Sequence, residues 1–210
     1  TGSIFNNSFD ELLWRKKIPE HYAKRHNISL EEAHEIVLKR YRDAWDSTGS
    51  EWRNPIYWIK LFDLKSSFEE IVNELKDHIK PYDDALIVIK RLSKKYKLIL
   101  ISNAHKILLD HKLKISGIRK YFSAVYSICS DFNMMEPNEN IFKEICANLN
   151  IKPSQLIHIG NKLKEDYQIP SSYGVHSFLI DRSGRHKEYY MIRDLFEFEE
   201  KIKELELKND

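Results

Sequence analysis

The spacing of apolar residues changes once along the chain, near residue 80. Before that point they recur at helical intervals. Residues 8–26 put Phe9, Leu12, Leu13, Ile18 and Tyr22 on one stripe, with Pro19 predicting a break. Ser29-Leu30-Glu31-Glu32 reads as a capping box, with Ser29 as N-cap and Glu32 three residues on. It opens a helix carrying Ala33, Ile36, Val37, Tyr41 and Trp45 on one face. Asn54-Pro55 starts another through Tyr57, Trp58, Leu61 and Phe62. Ser67-Phe68-Glu69-Glu70 is a second capping box, leading to Ile71, Leu75 and Ile79.

After Pro81 helical stretches alternate with short apolar runs. Helices are predicted over 82–96, 104–115, 140–149, 163–172 (with Pro170 near its end) and 190–207. The runs at 98–101, 124–128, 156–160 and 175–180 read as strands. Leu98-Ile99-Leu100-Ile101 has no polar break, the pattern of a strand buried on both faces of a parallel sheet. Strands separated by helices of this length make βαβ units. Ligands of such sheets bind beyond the carboxyl ends of the strands, where Ser102 and Asn103 follow the first run. Short polar side chains there can hold an anion; they are also common turn residues.

Composition narrows the function classes. A chain of 210 residues holds one domain of ordinary size plus an insertion. Lysine and arginine (34) nearly balance aspartate and glutamate (32), and no basic stripe appears, so nucleic acid is not an expected partner. Two cysteines, Cys129 and Cys146, make no disulfide or metal framework, which suits a reduced, cytoplasmic compartment. No apolar run approaches the roughly 20 residues of a membrane span, so no membrane partner is expected, and no signal peptide opens the chain. All four tryptophans (Trp14, Trp45, Trp52, Trp58) fall in the first 80 residues, as an aromatic mini-core or as a face for a substrate or second subunit. His105, His158 and His176 lack metal-ligand spacing and read as structural. Asp83-Asp84 suits the positive end of a helix, and 197–210 reads as a solvated helical face. No glycine-rich loop follows a strand, which sets a dinucleotide-binding domain aside.

Several pieces together resemble the haloacid dehalogenase-like superfamily. They are the apolar strand ending at Ser102-Asn103, the link 117–122, Glu136-Pro137-Asn138-Glu139-Asn140-Ile141-Phe142, Gly160-Asn161 with Asp166 five residues on, Gly174-Val175, and Asp181-Arg182-Ser183-Gly184. The resemblance implies an α/β fold, a Rossmann-like parallel sheet flanked by helices, with an inserted all-helical cap. Residues 1–7 would begin the core as the tail of the first motif, 8–80 would form the cap and 81–210 the α/β core. It also implies hydrolysis of a small phosphorylated compound through an aspartyl intermediate, with magnesium as cofactor. Carried over by position, Ser102, Asn103 and Thr1 are the catalytic candidates, Thr1 at the general-acid place. Ser102, Asn103 and Gly2 are the phosphate-binding candidates, and Asn161 and Asp166 the metal ligands.

Two positions depart from the family. Glu136 stands where a lysine is usual and reverses the charge; Asn161 stands where a metal-binding aspartate is usual. Lys162 or Lys164 is a candidate replacement for the lysine. A dehalogenase needs no metal, which suits Asn161, but keeps the lysine. The rival reading is a catalytically silent member kept as a binding or interaction module. The nucleophile would lie two residues before Thr1. The family's first strand lies between the strands at 98–101 and 156–160, and 1–80 offers nothing to replace it, since Ile4-Phe5 is too short. The expectation is about ten further, mostly apolar residues ahead of Thr1, ending in Asp-x.

Overall fold

The computed structural model describes residues 2–185 and 188–207. The first third is helical. Helix α1 (Ser8–Leu12) runs through a π-turn (Leu13–Lys17) into α2 (Ile18–His26), which ends at Asn27 in the left-handed conformation. The break expected at Pro19 does not occur. The π-turn relaxes the hydrogen-bond ladder just before Pro19, where the missing N–H and the ring would otherwise force a kink. Helix α3 (Leu30–Asp43) starts at Ser29, whose hydroxyl accepts from Glu32 N at 3.1 Å. A 3₁₀ turn (Gly49–Arg53) leads to α4 (Pro55–Leu61), capped by Asn54. Helix α5 (Phe68–Asn73) carries both halves of its capping box, between Ser67 and Glu70.

The rest alternates helix and strand: α6 (Asp83–Leu92), β1 (Ile99–Ser102), α7 (Lys106–Ser116), β2 (Ala124–Ser127), α8 (Ile128–Asp131), α9 (Glu139–Leu149), β3 (Ile157–Gly160), a π-turn (Leu163–Gln168) into α10 (Ile169–Ser172), β4 (His176–Ile180), β5 (Met191–Ile192) and α11 (Leu195–Glu206). Three details correct the sequence reading. Ile128 opens α8 instead of ending a strand, because the Ser127 hydroxyl accepts from Ser130 N at 3.1 Å and starts a helix there. Residues 191–192 pair with β4 as β5, and the last helix begins only at Leu195, capped by Asp194. That helix is also no plain solvated face: Phe198 and Ile202 are buried. Asp84 stands in the first turn of α6 as expected; it is also buried and accepts two hydrogen bonds from Arg182 (3.1 and 2.9 Å) and one from Leu195 N (2.8 Å). It ties α6 to the loop after β4 and to the start of α11.

All strand pairs are parallel, yet the sheet is in two pieces. Among the described residues β1 pairs with β2, from Ile99↔Ala124 to Ser102↔Ser127; β3 pairs with β4, and β4 with β5. The edges of β1 and β3 that face each other carry no strand from the described residues. Between them runs a cavity of about 1500 Å³, walled by residues 97–104 on one side and 155–162 on the other. Val88 and Leu92 of α6, Leu109 of α7, Phe142 of α9 and Phe198 of α11 close it above and below. Ile99, Leu100, Ile101, Ile157 and Ile159 are therefore only half-buried, although they are apolar strand residues in the middle of the fold. One apolar cluster nonetheless joins the helical third (Phe9, Trp58, Ile71) to the α/β part (Val88, Leu109, Ile180). No helix of the described residues is long and apolar enough to cross a membrane.

Candidate active site

At the carboxyl end of β1, Ser102 Oγ accepts from Ala104 N at 3.1 Å, which leaves its own O–H to donate. The turn is held from β2, where the Ser127 hydroxyl donates to Ala104 O at 2.8 Å. His105 caps α7: its Nδ1 accepts from Ile107 N at 3.4 Å, so the neutral ring carries its proton on Nε2. Burial lowers the His105 pKa, opposed by Glu51, and favours that neutral form. The structural reading of His105 thus holds for one ring nitrogen, while the ring itself lies in the cavity wall.

At the carboxyl end of β3 the chain folds back on Asp166. One carboxylate oxygen accepts from Asn161 N and Lys162 N, both at 2.9 Å, and the other lies 3.3 Å from His158 Nε2. Burial pushes the Asp166 pKa up. The hydrogen bond and charge of His158 and the two amides outweigh it and hold the carboxyl below its ordinary value. Gly160 makes the turn possible, since a Cβ there would stand 2.0 Å from the Asp166 carboxyl carbon. Gly2, at φ 98°, packs against Asn161; a Cβ on it would lie 2.6 Å from the Asn161 side-chain nitrogen.

Both strand ends open into the same cavity. Ser102, Asn103, His105, Asn161, Lys162 and Asp166 share its wall, so four of the expected site residues meet there. Gly2 stands against Asn161 outside that wall, with its N–H committed to Phe5 O at 2.7 Å. Thr1 lies outside the described residues. Glu136 is exposed and does not line the cavity. Lys162 lines it but pairs with Glu165 at 3.1 Å; Lys164 does not line it. The sequence reading missed Arg53, which comes to the same wall from the turn before α4, beside Trp52, one of the tryptophans expected in a core or on a substrate face. It also missed Lys112 of α7, buried against Asp10 at 2.5 Å. Arg53 had no sequence signal: it meets its partner, the Met135 carbonyl, across 82 positions.

Magnesium takes near-octahedral oxygen ligands, commonly one or two carboxylates with waters and substrate phosphate. Of the two expected ligands, Asp166 offers one carboxylate, whose two oxygens are already engaged, and Asn161 one carboxamide. Among the described residues no group of three or more histidine, cysteine or acidic side chains could hold a metal. By themselves Asn161 and Asp166 do not fill the ligand set that magnesium takes.

Residues 7–169 match the family model for haloacid dehalogenase-like hydrolases. Over 112 residues the chain is 26% identical to a glyceraldehyde 3-phosphate phosphatase of Methanopyrus kandleri, a match that covers 53% of this chain and 47% of that protein. The matched stretch therefore spans about half the length of that relative. Among solved structures, a HAD phosphatase from Thermococcus onnurineus superposes with a TM-score of 0.80 at 26% identity, over 96% of this chain and 94% of the other. The HAD-hydrolase YfnB of Bacillus subtilis, solved bound to magnesium, shares the fold at 15% identity with a TM-score of 0.61, over 93% and 92%. With 163 of 210 residues inside the family model and the same fold over nearly its whole length, this chain belongs to the haloacid dehalogenase-like hydrolases.

Proposed function

We propose that the chain is a phosphohydrolase acting on a small phosphorylated compound, with residues 8–80 serving as the cap over its site. The observation that carries this reading is the shared cavity at the carboxyl ends of β1 and β3. There Ser102 has an O–H free to donate, Asn103 is beside it, and the phosphatases among its relatives belong to the same family. In this reading Ser102 and Asn103 hold the phosphoryl oxygens, and the neutral His105 offers Nε2–H toward the ester or its leaving group. Asp166 keeps the Asn161–Lys162 turn in shape through its two amide hydrogen bonds. Gly2 can bind phosphate through its amide only once its bond to Phe5 opens. The family's metal role for Asn161 and Asp166 requires Asp166 to give up those amides, and a magnesium titration followed by calorimetry tests it directly.

A second reading, a silent binding module, is favoured by one observation: both Asp166 oxygens are engaged and the exposed Glu136 offers no positive charge to the cavity wall. Phosphate release from p-nitrophenyl phosphate and a panel of small phosphate esters, with and without magnesium, separates the two. The hydrolase reading expects turnover that falls about a hundredfold or more in Ser102→Ala. No turnover across the panel sinks it and leaves the binding module.

A further inference from the structure

Seven cationic side chains line the cavity: Arg15, Arg42, Arg53, Lys95, Lys97, Lys112 and Lys162. Lys112 is neutralised by Asp10 and Lys162 by Glu165. Lys95 and Lys97 sit ahead of β1, at the end remote from Ser102, and Arg15 and Arg42 are exposed. Arg53 differs from all of these. It is half-buried, its Nη2 donates to Met135 O at 3.2 Å, and its Nε is fully buried with no partner among the described residues. Glu136 and Glu165 are near enough to act on it electrostatically, yet no hydrogen bond to either is formed among the described residues. Trp52 holds it from the side, with the guanidinium carbon 6.0 Å from the ring centre, and the indole is itself fixed by its bond to Tyr41 O at 2.7 Å. A guanidinium has five donors in a planar fork, matched to phosphate oxygens, and it stays charged even when burial lowers its pKa.

We propose that Arg53 binds the phosphoryl dianion of the substrate in this cavity, supplying from the helical third the positive charge that position 136 does not. The inference rests on the phosphohydrolase reading for its substrate class, but its geometry stands on Arg53 alone. The orphaned Nε and the uncommitted fork donors are the feature it explains: a buried donor without an acceptor is costly, and an anion would satisfy it. Ser102 then meets the phosphoryl group from β1 and Arg53 meets it from the turn before α4. A substrate so held would join the helical and α/β parts across the cavity.

The test is titration of inorganic phosphate into the wild type, Arg53→Met, Arg53→Lys, Arg53→Ala and Ser102→Ala at pH 7, by calorimetry and by intrinsic tryptophan fluorescence. Arg53→Met should weaken phosphate about tenfold to hundredfold, the usual worth of a charged hydrogen bond. Arg53→Lys should recover part of that loss, as a point charge without the fork, and millimolar guanidinium should restore binding to Arg53→Ala. Unchanged phosphate affinity in Arg53→Met, with or without a lowered Tm, makes Arg53 a clamp on the Met135 loop and overturns the proposal. So does a wild type that binds no phosphate. If Ser102→Ala loses both phosphate and turnover while Arg53→Met keeps them, the hydrolase reading stands and this one fails. If phosphate binds through Arg53 but no ester turns over, the hydrolase reading fails and this one stands.

Discussion

The helical third and the sheet are held together in different ways. In the helical third Trp58 is fully buried, edge-on to Tyr41 with ring centres 4.6 Å apart and stacked on Phe62 at 5.4 Å. Trp52 and Trp58 both place their indole N–H on a carbonyl, of Tyr41 and Trp52 respectively. One polar atom of this cluster is left over, the Tyr41 hydroxyl, which is buried without a partner among the described residues, and burial pushes its pKa up. In the α/β part each half-sheet satisfies itself on one edge and turns the other toward the cavity. Helices complete their hydrogen bonds within a few residues of the same segment. A strand completes its own only when a second strand lies alongside, so the facing edges of β1 and β3 depend on a partner from outside the described residues.

The largest expected effect fills the opening. Gly2 lies against Asn161 at the carboxyl end of β3, and Ser3 to Phe5 line the cavity. A strand fused ahead of residue 1 therefore enters from that end and runs parallel to both neighbours. A five-residue run of valine and isoleucine would pair two open edges at once. Each buried amide or carbonyl relieved is worth about 1–3 kcal/mol, set against about 1–2 kcal/mol per residue ordered. A net gain of about 3 kcal/mol or more, or about 6–12 °C in Tm, is expected, with amide exchange slowed in β1 and β3. The same fusion with alternating prolines should give no gain. Equal effects of both fusions would show that the two half-sheets need no strand between them.

An effect of similar size is expected in the helical third. Trp58→Ala should cost about 3–5 kcal/mol in denaturant unfolding, because it removes the centre of a packed aromatic cluster. Trp45→Ala, at a site 41% exposed, should cost far less. Equal costs at the two sites would mean that the cluster is not the core of this region.

What could be read from the sequence follows the same division. The starts at Ser29, Asn54 and Ser67 and the strand ending at Ser102 were legible because the signal sits within four residues of its effect. The strand β5 was not, since two residues carry no periodicity and it exists only through pairing with β4. Ser102, Asn103, Asn161 and Asp166 could be placed at strand ends, and the structure brings them to one wall. The engagement of Asp166 by backbone amides leaves no trace in residue order. Neither does the arrival of Arg53, which depends on how the turn before α4 docks on the loop between α8 and α9.

The smallest expected effect tests how much surface charge adds to closure of the helical third. Lys17 pairs with Glu20 at 2.8 Å and with Glu74 at 2.9 Å; Glu74 also meets His21 at 3.1 Å, and His21 is hydrogen-bonded to Ser66. These contacts fasten the first helical run to the segment after α5. The hydrogen bond from Lys17 lowers the Glu74 pKa; burial opposes it, and the charges of Lys17 and His21 add to the lowering. A carboxyl whose folded pKa is depressed contributes stability above its unfolded value, and that contribution is lost as pH falls through the folded value. Lys17 is raised, chiefly by its bonds to Glu20 and Glu74, so its share is present below its unfolded value of about 10.5 and is lost as pH rises through the folded one. Glu74 is 42% exposed, so solvent screening keeps the pair to about 0.2–1 kcal/mol. Glu74→Gln should therefore lower stability by that amount at pH 7. The difference from wild type should shrink to nothing below the carboxylate range and fall with added salt. Urea unfolding at pH 7 and pH 3, in low and high salt, measures it. A difference that survives at pH 3 would assign the role of Glu74 to packing against His21 and not to its charge.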